Sequence, residues 1–560
     1  VSERPGVPLL AVFGIAELGI AAFGALSLKI FHRVALITAG ASALETGVIT
    51  FFLVLVPTVL MGGTLPILVA YLVRISGNVG RSVGILYFVN TLGSAAACFC
   101  AAYFTMHYLG QSGSVMLAAS INTTIGAAML VLYFYTRKIP ARRDPAPDAV
   151  RPDGIPAPEP ESHVLPQAPA LLLSGMAGFI ALGYEIMWYR IYAFTSGGQA
   201  RAFALLLGFY LAGIAFGSLL TRVFCHQMTK SSLSRHLRIL AGFVLLANIC
   251  GYLVIPLASR IATAHGYLHS LPFVSLATIL LGATFPLISH AAVRPNSRAG
   301  AHLSFLYLSN IVGSTLGSFV VGYVLMDIWA IKAIAVVIAA AGIGLAATVF
   351  LSSKVTGKSA ALGVALGAGL VASVIVSSGP LFDRVYERLQ EKWTYTPGFR
   401  YRLVVETKSG VVTVTSEGMV FGGGIYDGRF NTDIANDING LFRPYSMSLW
   451  HPAPRQVLLI GMASGSWAQV LANHPQVEKL TVVEINPGYL GLIPLYPAVA
   501  DVLTNPKVKI VIDDGRRWLV GNRESSFDVI VMNTTYNWRA HVTNLVSTEF
   551  LQLARRGPVL

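Results

Sequence analysis

Charge is what this sequence has least of. Only 12% of its 560 residues are Asp, Glu, Lys or Arg, and 54% are hydrophobic. A water-soluble globular chain carries about 25% charged residues. A deficit of this size excludes one large soluble core, because soluble chains grow by adding domains that each bring a charged surface. The apolar excess needs a bilayer as its solvent. Cysteine is scarce as well. Cys98, Cys100, Cys225 and Cys250 all lie in apolar stretches, which leaves no disulfide framework or zinc site in the polar C-terminal third. Acidic residues number 26 against 40 Lys and Arg, giving a net charge of +14. The basic residues stand mostly in short connections between apolar runs. Membrane topology imposes that pattern, and a nucleic-acid partner is not expected.

What is present is a series of apolar runs. They lie near 8–28, 46–73, 85–106 and 111–135, then near 171–193, 201–222, 239–258, 270–292, 303–327, 331–352 and 359–378. Each approaches the ~20 apolar residues a spanning helix needs, so the sequence predicts about eleven spans and a lipid bilayer as partner. Residues 136–167 form a linker rich in Pro, Ala and charge, without apolar periodicity.

The halves on either side of this linker repeat. PTVLMGGTLPIL at 57–68 matches ATILLGATFPLI at 277–288, and GILYFVNTLGSAAA at 84–97 matches SFLYLSNIVGSTLG at 304–317. Gly62 and Gly282, Pro66 and Pro286, Asn90 and Asn310, and Arg74 and Arg294 are each 220 positions apart. Duplicated bundles are common in transporters, with ligand sites between the repeats. The second repeat opens with two runs that have no counterpart ahead of residue 8, so the first is expected to be N-terminally incomplete. Arg137, Lys138, Arg142 and Arg143 place the linker in the cytoplasm, with Lys230, Arg235, Arg294 and Lys354 on the same side. Counted as eleven spans, the chain beyond 378 falls on the opposite side; with one run miscounted it falls in the cytoplasm.

The expected organisation is a first membrane repeat at 1–135, the linker at 136–167 and a second membrane repeat at 168–378. A small β domain follows at 379–450, then a Rossmann-like domain at 451–560. In the β domain, YRLVVET, GVVTVTS and MVFGG alternate between Gly-containing turns. From 456, QVLLIG, LTVVEI, KIVIDDG and FDVIVMN alternate with helical stretches, which implies a parallel sheet covered by helices. A full sheet of this type needs more strands, so the C-terminus is also expected to be incomplete.

Candidate site residues gather at the predicted strand ends. Gly461, Ala463, Ser464 and Gly465 lie in a tight turn that opens a helix, where small residues and free N–H groups admit a ligand. Glu484 follows Gly465 by nineteen residues, the spacing of an acidic residue that holds a ribose hydroxyl pair. Asp513 and Asp514 end the third strand, one of them suited to an adenine amine, or else simply making a turn. Asn533 ends the fourth strand and is suited to orienting a substrate, but an amide is no general base. His541 nearby reads as a solvated loop residue. Within the apolar part, Glu185, Glu17 and Glu45 stand in hydrophobic runs, where a charge is costly and rarely idle. Glu185 is the membrane candidate, with pairing to Arg190 as the structural alternative. Asn90 and Asn310 read as helix–helix glue. No metal site is expected.

HPAPRQVLLIG, VVEINP, KIVIDDGRRWL and NLVSTEFLQLARR resemble spermidine synthases, and specifically the bacterial membrane-fused, spermidine synthase-like proteins. The duplicated helices with GYEIMWYR look like the membrane half of such fusions. The resemblance implies a bacterial inner-membrane protein with a small β domain followed by a methyltransferase-like Rossmann domain. It implies decarboxylated S-adenosylmethionine, or S-adenosylmethionine, as co-substrate, a polyamine acceptor and no covalent cofactor. Carried across, Gly461 to Gly465 line the methionine-derived part, Glu484 holds the ribose, and Asp513 and Asp514 take the adenine side. Four departures stand out. Ala463 is the middle of the glycine loop, Asn533 replaces the acidic residue that deprotonates the attacking amine, the acidic residue expected further along that loop is absent from TTYNW, and Phe421 stands where a Gln is expected after Glu417-Gly418. Two other functions compete: a polyamine or cation transporter with a nucleoside-sensing domain, and an S-adenosylmethionine-dependent methyltransferase.

Overall fold

A computed structural model describes residues 8–38, 41–76, 78–137, 164–225, 230–294, 299–522, 525–533, 536–540 and 542–555. Most of the linker (138–163) and His541 lie outside the described residues. Among these residues, eleven helices are long and apolar enough to cross a membrane. They are α1 (Leu9–Ile37), α2 (Ala43–Ser76), α3 (Val79–Tyr108), α4 (Gly110–Arg137), α5 (Gln167–Ser196), α6 (Ala200–Val223), α7 (Lys230–His265), α8 (Leu271–Ala292), α9 (Ala299–Ile328), α10 (Ile331–Ser352) and α11 (Gly357–Phe382).

The helix starts follow local chemistry. At α2, Ser42 and Glu45 form a capping box: the Ser42 N–H donates to Glu45 Oε2 at 2.7 Å, and the Glu45 N–H donates to Ser42 Oγ at 3.2 Å. Glu45 is therefore an end cap, and its place in an apolar run needs no further role. Asn78 caps α3 by accepting from the Arg81 N–H at 3.0 Å. The repeated sequence segments lie on α2 and α8 and on α3 and α9. Both α3 and α9 widen to π-helical turns, at Ala101–Thr105 and Val320–Leu325.

Small residues bring the helices together, the packing expected where apolar burial alone gives no preference between lipid and protein. A Cβ added to Gly313 of α9 would come within 1.9 Å of the Gly175 carbonyl oxygen of α5. One added to Gly217 of α6 would come equally close to that of Ile279 on α8. Asn310 does join helices, donating to the Ser174 carbonyl at 2.9 Å, whereas Asn90 is exposed.

The chain remains helical beyond 379, through the end of α11 and through α12 (Val385–Glu391). The strands begin at Leu403. β1 (Leu403–Thr407), β2 (Gly410–Val414), β3 (Met419–Gly422) and β4 (Ile425–Arg429) form an antiparallel meander in sequential order. β5 (Gln456–Ile460), β6 (Lys479–Glu484), β7 (Val508–Ile512) and β8 (Val529–Met532) form a parallel sheet ordered β7-β6-β5-β8. The strand order reverses between β5 and its two neighbours, which is where open α/β sheets form their ligand crevice. Fully buried Val457, Leu458, Leu459, Leu480 and Val482 make the central strands continuous apolar runs. The helices α13 (Ser466–Ala472), α14 (Gly515–Gly521) and α15 (Thr548–Arg555) accompany this sheet.

The sheet domain sits on one end of the helical bundle. Arg517 donates to the Ala41 carbonyl between α1 and α2 at 2.6 Å. The Ala540 N–H donates to the Gly198 carbonyl between α5 and α6 at 2.8 Å. Lys408 pairs with Asp327 at the end of α9 at 3.1 Å.

Candidate functional site

The turn after β5 requires unusual backbone. Gly461 and Gly465 have φ of 89° and 79°, and Ala463 lies at 49°. Glycine takes this region freely, but a side chain such as that of Ala463 enters it at a cost. The turn closes on Glu484 at the tip of β6. Its Oε2 accepts the N–H groups of Met462 at 2.6 Å and Ala463 at 3.3 Å, and its Oε1 accepts the Asn486 N–H at 2.8 Å. Burial pushes the Glu484 carboxyl above the usual carboxylate range, Asp427 pushes it the same way, and the three backbone donors oppose the rise. Oε2 already accepts two N–H groups, whereas Oε1 accepts one and keeps lone-pair capacity for a ligand hydroxyl.

Ser464 turns toward the small β domain. Its hydroxyl lies 3.0 Å from that of Ser466, which donates to the Arg429 carbonyl at the end of β4. Asn439 donates to the same carbonyl at 2.6 Å. Nearby, Tyr489 donates its hydroxyl to half-buried Asp427 on β4. Burial raises the Asp427 carboxyl; the Tyr489 hydroxyl and the Arg539 cation hold the rise back.

The other expected residues are also engaged. Asp514 caps α14, accepting the Arg517 N–H at 2.8 Å, and Asp513 pairs with the Arg517 guanidinium at 3.3 Å. Asn533 lies against the glycine turn: its N–H donates to the Ile460 carbonyl at 2.9 Å, and a Cβ on Gly461 would meet its carbonyl oxygen at 3.1 Å. The strand tips therefore bring together Gly461, Ala463, Ser464, Gly465, Glu484 and Asn533, while Asp513 and Asp514 flank them at β7. Phe421 faces the aromatic rings of Tyr401 and Tyr426. It extends the apolar seam between the β domain and the bundle. Glu185 stands apart in α5, in electrostatic reach of Cys98 and Tyr210. Arg190 does not serve as its partner in the way expected; it donates to the Thr407 carbonyl of β1.

Three features were not legible in the sequence. Asp427 and Tyr489 meet only because β4 and the turn after β6 fold together, and Asp427-Gly428 reads as a turn. Thr407 donates to Asn486 Oδ1 at 2.9 Å, which links Arg190 to the residue bonded to Glu484. Arg539 donates to the Gly422 carbonyl at 2.8 Å and faces Asp427. A cavity of 400 Å³ lies elsewhere, between the end of α1, α14 and α15, lined by residues such as His32, Arg516, Phe527 and Glu549. Among the described residues no cluster of His, Cys, Asp or Glu is arranged to hold a metal ion.

Residues 446–556 match the spermine/spermidine synthase domain family. The polyamine aminopropyltransferase of Mycobacterium tuberculosis (strain CDC 1551 / Oshkosh) is 26% identical over 420 residues, covering 69% of this chain and 75% of that protein. An alignment of that length extends well into the apolar helices. The polyamine aminopropyltransferase of Desulforudis audaxviator (strain MP104C) is 35% identical over 86 residues, 15% of this chain and 31% of that one. A solved spermidine synthase in complex with the transition state analogue AdoDATO is 20% identical, with a TM-score of 0.24, over 28% of this chain and 54% of that one. The chain thus spans about half the length of that enzyme. The glycine turn, Glu484, Asp513, Asp514 and Asn533 all fall within the matched stretch, and the chain is spermidine synthase-like in the domain that carries them.

Proposed function

We propose that this chain is a membrane-embedded, spermidine synthase-like protein that binds an S-adenosyl-type nucleoside at the tips of β5 and β6. The observation that carries the reading is the glycine turn wrapped round Glu484, with backbone N–H groups and a carboxylate at one strand switch point. That arrangement suits a ribose hydroxyl pair at the carboxylate and the methionine-derived part along the turn.

In aminopropyl transfer, an amine nitrogen attacks the propyl carbon beside the sulfonium. The new C–N bond forms as the C–S bond breaks, its electron pair stays on sulfur, and methylthioadenosine leaves. The amine must also lose a proton. Asn533 orients but does not accept it, since an amide has no basic pKa near neutrality. This chain's contribution is therefore binding and orientation, with slow transfer wherever the base is solvent.

Calorimetry on the detergent-solubilised full chain tests the reading, with decarboxylated S-adenosylmethionine, S-adenosylmethionine and methylthioadenosine as probes. Binding of at least one is expected. Glu484→Gln, which keeps the shape and loses the charge, is expected to weaken it by about tenfold, the loss of one charge-assisted hydrogen bond at ~1.5 kcal/mol. A folded protein that binds none of the three overturns the reading. Labelled methyl transfer from S-adenosylmethionine would move the assignment to a methyltransferase.

A second reading has its own support: a polyamine or cation transporter whose sheet domain senses a nucleoside. The hydrogen-bonded path Arg190–Thr407–Asn486–Glu484 joins a bundle helix to the nucleoside turn. Polyamine flux in proteoliposomes that changes with added nucleoside would favour it.

A further inference from the structure

The end of the bundle that carries the sheet domain differs in charge from the other end. Its helix-to-helix connections, residues 38–42, 109, 197–199, 266–270 and 329–330, contain no Lys or Arg; beyond them, the segment from α11 to β1 at this end carries Arg384, Arg388, Lys392, Arg400 and Arg402. The opposite connections carry Lys138, Arg142, Arg143 and Arg151 between α4 and α5, Arg294 and Arg298 between α8 and α9, and Lys354 between α10 and α11. Including the terminal helical turns adds Arg74, Arg81, Arg137, Arg222, Lys230 and Lys358 to that end, against Arg33, Arg201, Lys332 and Arg384 at the end bearing the sheet domain. Short connections rich in Lys and Arg stay in the cytoplasm, and acidic residues weigh little in that choice.

The placement of the sheet domain is an independent observation. Its contacts at Ala41, Gly198, Asp327 and the N–H of Ile331 all fall at the end whose helix-to-helix connections lack Lys and Arg. An odd number of spans, eleven, carries the chain to that end after α11.

We propose that the sheet domain and its strand-tip crevice stand on the side of the membrane opposite the cytoplasm, and that the nucleoside or amine they take is met there. This rests on the membrane-embedded reading above and adds a side to it. It also sets a place in a reaction sequence. A nucleoside made in the cytoplasm must first be exported, so the reaction that supplies this site is followed by a transport step.

The test is cysteine labelling in intact cells with a membrane-impermeant maleimide, on the full chain, with the unmutated protein as background. Glu478→Cys marks the sheet domain, where Glu478 is 67% exposed, and Lys358→Cys marks the opposite end. Labelling of Glu478→Cys in intact cells, with Lys358→Cys labelled only after permeabilisation, is the expected result. The reverse pattern overturns the proposal, as does labelling of both positions only after permeabilisation. Alkaline phosphatase fused to the C terminus of the full chain gives a second readout, active under the proposal and inactive otherwise. Nucleoside binding in detergent is indifferent to side, so failure of the orientation is distinguishable from failure of the nucleoside site.

Discussion

Asp427 shows how a single residue escapes a reading of the sequence. Glu484 was legible because its distance from the glycine turn is set along one strand–helix–strand unit. Asp427 arrives from a different sheet, and only tertiary folding closes it onto Tyr489 and toward Glu484 and Arg539. Its titration has a definite sign. Burial raises the folded carboxyl above its unfolded value, so the folded state keeps a proton that the unfolded chain has released. The stability contribution is full below the ordinary carboxylate range and is lost as pH rises through the raised value. Each pH unit by which the folded value exceeds the unfolded one removes about 1.4 kcal/mol. Glu484 has the same sign. Asp427→Asn keeps an acceptor for the Tyr489 hydroxyl and removes the charge. Thermal midpoints of the detergent-solubilised protein between about pH 4 and about pH 8 are therefore expected to fall less steeply in this variant than in the parent. An unchanged slope would mean that Asp427 does not keep its raised titration in the folded protein. Asp513 and Asp514 teach the converse. Their position at a strand end was legible, but their use in a cap and an ion pair depends on Arg517, three and four residues on.

At the scale of elements, periodicity was a good guide and docking was not. The apolar runs became the eleven long helices, and QVLLI, LTVVE, KIVI and VIVM became β5 to β8; burial on both faces of β5 and β6 leaves an apolar signature in the strand itself, and β7 and β8, only half-buried, keep a weaker one. Where α5 stops was set by a local signal as well. Gly197 takes φ of 70°, and its N–H and that of Gly198 return to the carbonyls of Phe194 and Ala193 in a Schellman-type end. No sequence pattern announced what that end touches. The two-residue Gly423-Gly424 turn between β3 and β4 presses on it, so that a Cβ on Gly424 would lie 2.0 Å from the Phe194 carbonyl oxygen. Gly424 also has φ of 80°. Gly424→Ala therefore meets backbone that cannot yield and a conformation that costs roughly 1–2 kcal/mol for an L-residue. The expected result is a hairpin lifted off α5, seen as faster limited proteolysis within residues 415–430 while the eleven helices retain their helical signal. Proteolysis at the parent rate would show that the contact is not holding the hairpin.

For the whole molecule, the arrangement turns on α5, which reaches the site from two directions. Through Arg190 it bonds to Thr407, and Thr407 leads to Asn486 and the Glu484 carboxylate. Through Gly198 it holds Ala540, next to Arg539, which faces Asp427. Residues 536–540 are thereby anchored to the bundle at Ala540 and to the β3–β4 hairpin at Arg539. A ligand at the strand tips and a movement of α5 act on the same bonds, and any coupling between them is reciprocal. Arg190→Gln removes the charge and one charge-assisted hydrogen bond without touching the glycine turn. Nucleoside affinity is expected to fall about fivefold or more, the lower end of ordinary coupling between sites. In the parent, the bound nucleoside is expected to slow amide hydrogen exchange at the end of α5, around residues 190–199. That protection should be lost in Arg190→Gln even at nucleoside concentrations that saturate it. Affinity and exchange that both remain at parental values would make the bundle a passive anchor, and α5 merely the surface on which the sheet domain rests.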